Sequence, residues 1–514
     1  MHKKQIIIFI TFVVLFLLGM GIRSEIIDEN LPYLKHPDES TISRASCNIL
    51  ATGSFDPNFY YYPPLSFYVA AAGNAVFFLK SASELKIKNT QHIGRCNIPY
   101  YDSPFVIEGA KILFASLSIL SLIFYGILAF QYFGTSQAVS TVGIGLMSSF
   151  YTYYSAYYLN VDIVGAFFAA TFLFFLLNKH NRLRHDHPIA FVLALSLITA
   201  CAFATKYNLF ALALIGLAYI FISFPLARWR TLFVYILGCV GFFILVNPFF
   251  FIDFNMAISG MAREIFHYKQ GHIGSNDMHQ PGLQTVYLYL GYLLEDFSIA
   301  SLIPVTIGGF LIIFKAPKLI WLIVYSAFLV LYMSTQQATN IRNIISAFPI
   351  YAMLLSIGLC WLAAIAQGFI AKKLKFGNRN TAINTSIYGA VLLIAVGIII
   401  PLERSAAWIG FEGDNRVQAT KWAKRNLPES STVFYSSHLS LSPRLIEGPI
   451  KFMGVKSPEE AQNIAHENGI SNAYYLSKKI KDASKNSQLN KTFKEFSLEP
   501  KYINSPIHLS SLAE

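Results

Sequence analysis

Two adjacent carboxylates, Asp38 and Glu39, follow the first long apolar run of the sequence, in the stretch YLKHPDESTIS. A carboxylate can take the proton of a hydroxyl group, which near pH 7 is a poor nucleophile without such help. The same residues can instead cap a helix that begins near residue 38, because aspartate after proline is a common helix start. The elements around this stretch decide between the two roles.

Other ionisable side chains stand at the ends of apolar runs: Asp162 in YYLNVDIVGAFFA, Lys206 in FATKYNLFAL and Arg342 in NIRNIISAFPIYAML. Both cations suit a phosphate, and arginine donates to two oxygens at once through its planar fork. Weaker phosphate candidates lie together in the stretch AREIFHYKQGHIG, namely Arg263, Lys269 and His272. The alternative for each cation is a side chain that extends to lipid headgroups.

The composition sets the class of protein that must position these groups. Of 514 residues, 54% are hydrophobic, 15% aromatic and only 13% charged, which is too apolar for one soluble domain. Runs such as 6–22 and 382–400 reach or approach the roughly 20 apolar residues that cross a bilayer as helix. We predict that the first run is retained and is not a cleaved signal peptide, because it is long and no small-x-small cleavage site follows.

The apolar segments predict eleven spans and an orientation. The spans are 6–22, 105–130, 137–156, 161–178, 188–204, 209–225, 231–247, 298–314, 318–334, 344–370 and 382–401. Five segments on one side of these spans are basic and together hold 13 Lys and Arg against one acid, Asp186: 2–4, 178–187, 226–230, 315–318 and 371–379. By the positive-inside rule they face the cytoplasm, so loops 23–104 and 248–297 and the tail lie outside. Much of the net charge of +12 is therefore an orientation signal, and nucleic-acid binding is not predicted.

The cysteines and the tail agree with this orientation. Cys47 and Cys96 share the first external loop, where an oxidising compartment permits a disulfide, although two free thiols are the alternative. Residues 402–514 are more polar and alternate helix-like and strand-like segments. We therefore predict a transmembrane domain over 1–401 and a small external α/β domain over 402–514, to which no chemistry is assigned.

The motifs, taken in order, resemble a known superfamily. An acidic pair after the first span is followed by YYYPPL at 60–65, by Asp162 at the start of a span, by VNPFFF at 246–251, and by an arginine before a proline-containing helix. This order of motifs looks like that of the GT-C membrane glycosyltransferases. Among these, the sequence is most similar to the polyprenyl-phosphate-dependent enzymes, which include protein O-mannosyltransferases and lipid A aminoarabinose transferases. The resemblance covers about the first 400 residues, and it implies a GT-C core with short interfacial helices in the first external loop.

The resemblance implies inverting transfer of a hexose or pentose from a polyprenyl-phosphate donor to a hydroxyl of a glycan, lipid or protein acceptor. The reaction would occur at the external face of the membrane, and a bacterial inner membrane is expected. Asp38 is implied as the base, with Glu39 orienting it or binding acceptor. Asp162 would polarise another site residue, bind acceptor or help to hold a divalent ion, while Arg342 and Lys206 would meet the donor phosphate.

One motif departs from the resemblance. The aminoarabinose transferases carry a Glu-Lys pair before the two prolines, where this sequence has Tyr61 and Tyr62. The glutamate on which a metal site would be built is thus absent, no complete ligand set is visible, and metal dependence stays open. Tyr61, Tyr62 and His36 are predicted to shape the acceptor entrance, and the alternative for the tyrosines is the aromatic belt of the membrane interface.

Two other functions are weighed against this one. A transporter or flippase of lipid-linked saccharides would place charged or broken helices at mid-membrane, whereas the acids here lie at predicted external helix ends. A saccharide polymerase would use a diphosphate-linked donor, against which the acid pair and the YPPL motif argue.

Overall fold

The structure is a computed structural model. It describes residues 2–31, 33, 36–85, 105–157, 159–271, 280–373, 388–393, 396, 415–436, 439, 441, 446, 448–477, 492–496 and 507–511.

Within residues 2–373, the described segments fold mainly as α-helices. They are α1 His2–Asp28, α2 Pro37–Thr52, α3 Leu65–Leu85, α4 Phe105–Tyr132, α5 Thr135–Met147, α6 Ser149–Ala156, α7 Val161–Leu177, α8 Leu183–Asp186, α9 Pro188–Phe203, α10 Phe210–Ser223, α11 Arg228–Val246, α12 Phe249–Ile252, α13 Phe254–Gln270, α14 Leu283–Phe297, α15 Leu302–Lys315, α16 Ile320–Met333 and α17 Phe348–Lys373. Short 3₁₀ turns precede α10 at Tyr207–Leu209 and α17 at Ile341–Ala347.

The apolar helices expose large hydrophobic side chains, as expected where lipid replaces water. Phe9 in α1 is 68% exposed and Leu245 in α11 is 73% exposed. Such a surface is unstable in water but costs nothing against lipid tails. The protein is therefore an integral membrane protein, as its composition predicts.

The predicted count of eleven spans stays a prediction. Among the described residues, four helices are long and apolar enough to cross a membrane, or up to six if each bent helix pair is one span. The last predicted span, 382–401, lies largely outside the described residues, of which only 388–393 and 396 are helical there. Two apolar helices, α3 and α14, lie largely in segments that the sequence assigned to external loops.

The predicted continuous span 137–156 is broken at Ser148. The Ser148 hydroxyl accepts a hydrogen bond from the Tyr151 amide at 3.2 Å, which caps α6. The Asp296 carboxylate accepts two more, from the amides of Ser149 and Phe150 at 2.8 and 3.2 Å. These bonds satisfy the first amides of a new helix, so the chain can change direction inside the apolar region.

Helices α3 and α4 approach each other closely at a pair of glycines. A Cβ atom at Gly73 would lie 2.6 Å from the Gly109 carbonyl oxygen, and one at Gly109 would lie 2.3 Å from the Gly73 oxygen. Small residues at such a crossing let two helix backbones pack directly in a membrane. This contact holds the segment that carries α2 and α3 against the bundle.

The tail contains a mixed sheet with strands β1 Thr432–Ser436, β2 Lys451–Val455, β3 Ala473–Ser477, β4 Thr492–Phe496 and β5 Ile507–Ser511. The order is β2-β1-β3-β5-β4; β1 is parallel to β2 and β3, while β5 is antiparallel to β3 and β4. Helices α18 Asn415–Asn426 and α19 Pro458–Glu467 bury alanines against this sheet. That this region forms a separate external domain stays a prediction.

Helix α18 contacts the segment between α1 and α2. The Arg416 guanidinium stacks over the buried Tyr33 ring at 3.4 Å from the ring centroid. The Lys421 ammonium lies 2.7 Å from the Glu29 carboxylate. The tail thus packs on the residues that lead into the acid pair.

Cys47 is buried in α2 and takes part in a disulfide, whereas Cys201, Cys239 and Cys360 are free thiols. Cys96 lies outside the described residues, so its pairing with Cys47 stays a prediction.

Thiol labelling of the denatured protein should be lower without reductant, and Cys47→Ser should free one new thiol. Full labelling of Cys47 and Cys96 without reductant would contradict the bridge. In the loop-entropy model a bridge closing about 50 residues stabilises the fold by roughly 4 kcal/mol.

Candidate active site

Asp38 lies in the first turn of α2, where His36 and not Asp38 caps the helix. The His36 ring accepts a hydrogen bond from the Asp38 amide through Nδ1 at 3.1 Å. Burial, and next the adjacent Arg342 charge, lower the pKa of His36 below its ordinary value, which fits a neutral ring that accepts a hydrogen bond. The Asp38 side chain is therefore not needed as the cap and points to Arg342, whose Nη1 lies 2.7 Å from Asp38 Oδ2.

A second ion pair lies beside the first. Asp162 stands in the first turn of α7, which Asn160 caps by accepting the Ile163 amide at 3.1 Å. The Lys206 ammonium, from the break between α9 and α10, donates to Asp162 Oδ1. Arg342 Nη1 lies 4.0 Å from the other oxygen, Oδ2, so Arg342 sits between the two carboxylates.

Asn343 joins these groups to the neighbouring helices. Its Oδ1 accepts from Lys206 Nζ at 3.4 Å and from the Tyr268 hydroxyl at 3.1 Å, and its Nδ2 donates to the Tyr289 hydroxyl at 3.2 Å. Partly buried ion pairs are stable only where further hydrogen bonds satisfy them, and Asn343 supplies such bonds. The asparagine thus connects Lys206 to Tyr268 in α13 and to Tyr289 in α14.

Glu39 points away from this cluster and is fully buried. Its Oε1 lies 2.9 Å from Lys111 Nζ and accepts the Leu159 amide at 2.9 Å. Lys111, itself 1% exposed, also donates to the Tyr157 carbonyl at 2.7 Å. Glu39 therefore connects α2 to α4 and to the turn before α7. This position agrees with a role in orienting Asp38, whereas a fully buried side chain has no surface with which to bind an acceptor. Removing either partner of such a buried pair costs about 3–5 kcal/mol.

A cavity of about 280 Å³ opens beside Lys206. Its walls are mostly aromatic and apolar, and its lining residues are Tyr62, Phe203, Lys206, Tyr207, Asn208, Phe210, Met261, Glu264, Ile265, Tyr268, Tyr332, Met333 and Gln336. A smaller recess lined by Asp162, Lys206, Asn208 and Arg342 adjoins it through the shared residues. One end of the cavity is thus charged, and the rest suits an apolar chain.

Helix α13 covers this cavity and is held there by the YYYPPL segment. The Tyr60 hydroxyl donates to Asp253 Oδ2 at 2.6 Å, and a Cβ atom at Gly260 would lie 2.7 Å from the Tyr60 carbonyl group. At the far end of α13, the Tyr268 carbonyl accepts the amides of Gln337 and Ala338 at 2.9 and 3.1 Å. These contacts direct Glu264 and Tyr268 into the cavity.

The remaining predicted site residues are spread over the rim. Tyr62 lines the cavity, as an entrance residue would. Tyr61 accepts a hydrogen bond from the exposed Arg263 at 2.9 Å, on the outer surface. Lys269 is exposed at the end of α13, and His272 lies outside the described residues.

Sequence reasoning missed Glu264, Tyr268 and Asn343. A signal for the first two was present, because Met261, Glu264 and Tyr268 share one face of an amphipathic helix by their spacing of three and four. Burial raises the pKa of Glu264 to about 7, and the carboxylates of Asp38 and Asp162 add to the rise, while Lys206 opposes it.

Metal ligands do not cluster in the part of the chain that the structure describes. No group of three or more His, Cys, Asp and Glu there is arranged to hold an ion. Asp162, the residue considered for a divalent ion, is paired with Lys206. Metal dependence therefore stays open.

Comparison with solved structures identifies the fold. The chain is similar to the crystal structure of ArnT from Cupriavidus metallidurans bound to undecaprenyl phosphate, with a TM-score of 0.55 and 15% identity, covering 98% of this chain and 99% of that one. It is also similar to the Archaeoglobus fulgidus oligosaccharyltransferase in the apo form, with a TM-score of 0.50 and 13% identity, covering 91% of this chain and 69% of that one.

No protein-family model matches the sequence, and comparison with curated proteins yields no match. At identities of 13–15% the likeness defines the fold alone. The chain has the fold of the GT-C superfamily of membrane glycosyltransferases, which confirms the prediction from its motifs.

Proposed function

We propose that the protein transfers a sugar, with inversion, from a polyprenyl-phosphate donor to an acceptor hydroxyl at the external face of a bacterial inner membrane. The observation that carries this proposal is the cluster of two ion pairs, Asp38–Arg342 and Asp162–Lys206, at the charged end of an apolar cavity. Fold analogy adds to it, because one similar structure holds undecaprenyl phosphate.

Asp38 has the geometry of a general base. Arg342 holds Oδ2 at 2.7 Å, and within the described residues no group donates a hydrogen bond to Oδ1. The Oδ1 atom can therefore take the proton of the acceptor hydroxyl as its oxygen attacks the anomeric carbon. The bond from that carbon to the phosphate oxygen breaks, and polyprenyl phosphate leaves with the bonding electrons.

The leaving phosphate gains negative charge on its bridging oxygen, and Arg342 and Lys206 are the cations placed to stabilise it. Both are partly or fully buried, with side chains 15% and 9% exposed, where a fixed charge acts more strongly than in water. Each is already oriented by a carboxylate. Little reorganisation is then needed when the phosphate departs.

The cavity walls suit the isoprenoid part of the donor. Phe203, Phe210, Ile265, Tyr332 and Met333 present apolar surface directly beside Lys206. An extended chain would lie along this surface with its phosphate at the ion pairs, in keeping with the amphipathic chemistry of polyprenyl phosphates.

The experiment that tests the function is mass spectrometry of surface glycans, lipids and proteins from three strains: one with the gene, one lacking it, and one carrying Asp38→Asn. We expect one glycoform of a single acceptor class to disappear in the second and third strains. Identical profiles in all three strains would contradict the proposal.

The external placement of the site depends on the orientation that the basic loops predict. Reporter fusions after residues 183 and 375 should report cytoplasm, and fusions after 275 and 480 should report the outside, because 13 cations against one acid hold alternate loops inside. The measurements are the alkaline phosphatase activity of one fusion at each position, which reports the outside, and the fluorescence of a fluorescent-protein fusion at the same position, which reports the cytoplasm. A cytoplasmic signal at 480 would overturn both the topology and the external tail.

A further inference from the structure

The charged end of the cavity holds more carboxylates than cations. Arg342 is matched by Asp38, and Lys206 is matched by Asp162. Glu264 is a third carboxyl group: it lines the cavity together with Lys206, beside the recess that Asp162 and Arg342 line, and it forms no ion pair with any described residue. With all three carboxylates ionised, these five side chains carry a net charge of −1, which would repel an anionic head group beside them.

We propose that Glu264 is a proton-coupled gate for the donor: the cavity admits the negatively charged phosphate head only when the Glu264 carboxyl is protonated, so binding takes up one proton. This inference rests on the proposed function and deepens it. It assigns to the external helix α13 a control over donor binding that neither ion pair provides.

The surroundings of Glu264 support this assignment. Of the groups that face it, the hydroxyls of Tyr62, Tyr207 and Tyr268 are neutral near pH 7 and offer hydrogen bonds but no charge. The charged groups are Lys206 from the break before α10, Asp38 from α2, Asp162 from α7 and Arg342 from the turn before α17. Among the described residues that line the cavity, Lys206 is the one cation, and it is paired with Asp162.

Asn208, a second polar residue that lines the cavity, has a side-chain oxygen without a hydrogen-bond donor among the described residues. The amide oxygen of Asn208 is buried and accepts no hydrogen bond in the part of the chain that the structure describes, and Asn208 lines both the cavity and the recess beside Arg342. A sugar hydroxyl donating to Asn208, with a phosphate or sugar oxygen accepting from neutral Glu264, would satisfy both groups. These two residues therefore fit the head group of the donor and not its apolar chain.

The sign of the pH dependence follows from the raised pKa of Glu264, about 7. Below that pKa the carboxyl is already neutral, and donor affinity should not change. Above that pKa, the protonated fraction of Glu264 falls about tenfold with each further pH unit, so the dissociation constant of the donor should rise about tenfold per unit. The rise in the dissociation constant ends at the pKa that Glu264 has in the donor complex, because above it the bound protein also loses the proton.

The test is the affinity of purified protein in nanodiscs for the methyl ester of undecaprenyl phosphate, a phosphodiester that carries one charge at every pH used. Between pH 5.5 and 8.5 we expect the wild-type dissociation constant to rise by about 10- to 30-fold. Glu264→Gln should bind with nearly the same affinity across that range, and at pH 8.5 more tightly than wild type. Glu264→Ala repeats the test if the first variant does not fold.

Two controls isolate Glu264. His36 and His267 are present in every variant, so any pH slope they cause remains in Glu264→Gln. Arg263→Gln, one residue away on the exposed face, should keep the wild-type slope. If wild type and Glu264→Gln bind with the same pH dependence, the gate is wrong and the donor class stands. If no folded variant binds at any pH, the proposed donor class fails and the gate with it.

Discussion

Asp38→Asn should lower the rate of sugar transfer at saturating donor by about 100- to 10,000-fold, the usual contribution of a general base. This corresponds to about 3–5 kcal/mol of barrier. The asparagine keeps the shape of the side chain and can still accept from Arg342 at the position of Oδ2, but its amide group cannot take the acceptor proton at Oδ1. The measurement is the transfer rate of purified, normally folded protein.

The helix-cap alternative predicts a different result. The cap of α2 is the His36 ring, and in the first turn of a helix the Asp38 charge contributes only about 0.3–1 kcal/mol to stability, so in a purely structural role its loss would be almost silent in the transfer rate. Asp56→Asn, in the connection between α2 and α3, is the matched control and should keep wild-type activity. A rate for Asp38→Asn within about threefold of wild type would rule out Asp38 as the base, with Asp162 the next candidate.

Arg342→Ala should weaken donor binding and slow transfer together, by about 100- to 1,000-fold in rate. The substitution removes a phosphate ligand and also leaves Asp38 without its partner at 2.7 Å and Asp162 without its neighbour at 4.0 Å. The resulting excess of negative charge repels the donor. Both effects appear in one experiment if the dissociation constant of a polyprenyl phosphate and the transfer rate are measured on the same preparation.

Two variants calibrate this result. Arg342→Lys keeps the charge but loses the planar fork, so it should recover part of the affinity and little of the rate. Arg263→Ala, whose guanidinium contacts Tyr61 on the exposed surface, should bind and react within about threefold of wild type. If Arg342→Ala binds donor as tightly as wild type, the phosphate contact assigned to Arg342 is wrong.

The sequence alone predicts the GT-C fold and selects four of the site residues that the structure brings together. Asp38, Asp162, Lys206 and Arg342 each stand next to an apolar run, and the order of these motifs along the chain carries the resemblance. What no local pattern contains is the pairing. Arg342 meets a carboxylate 304 positions away, and Lys206 meets one 44 positions away.

Other features depend on tertiary contacts that leave no mark in local sequence. Glu39 and Asp38 are neighbours, yet one is fully buried against Lys111 and the other faces the site, because successive residues of a helix point in different directions. The break at Ser148 is set by Asp296, a residue 148 positions away. Glu264 enters the site because contacts at both ends of α13, to Tyr60 and through the Tyr268 carbonyl, hold the helix over the cavity.

The most direct test of the central claim uses purified protein reconstituted in liposomes. It is given two labelled donors, a sugar on polyprenyl monophosphate and the same sugar on polyprenyl diphosphate, together with acceptors extracted from cells that lack the gene. We predict that label moves from the monophosphate donor to an extracted acceptor, that polyprenyl phosphate is released in equal amount, and that Asp38→Asn does neither. Transfer from the diphosphate donor alone would indicate a polymerase. Movement of intact donor across the bilayer without release of polyprenyl phosphate would indicate a flippase, and either result would contradict the function proposed for this protein.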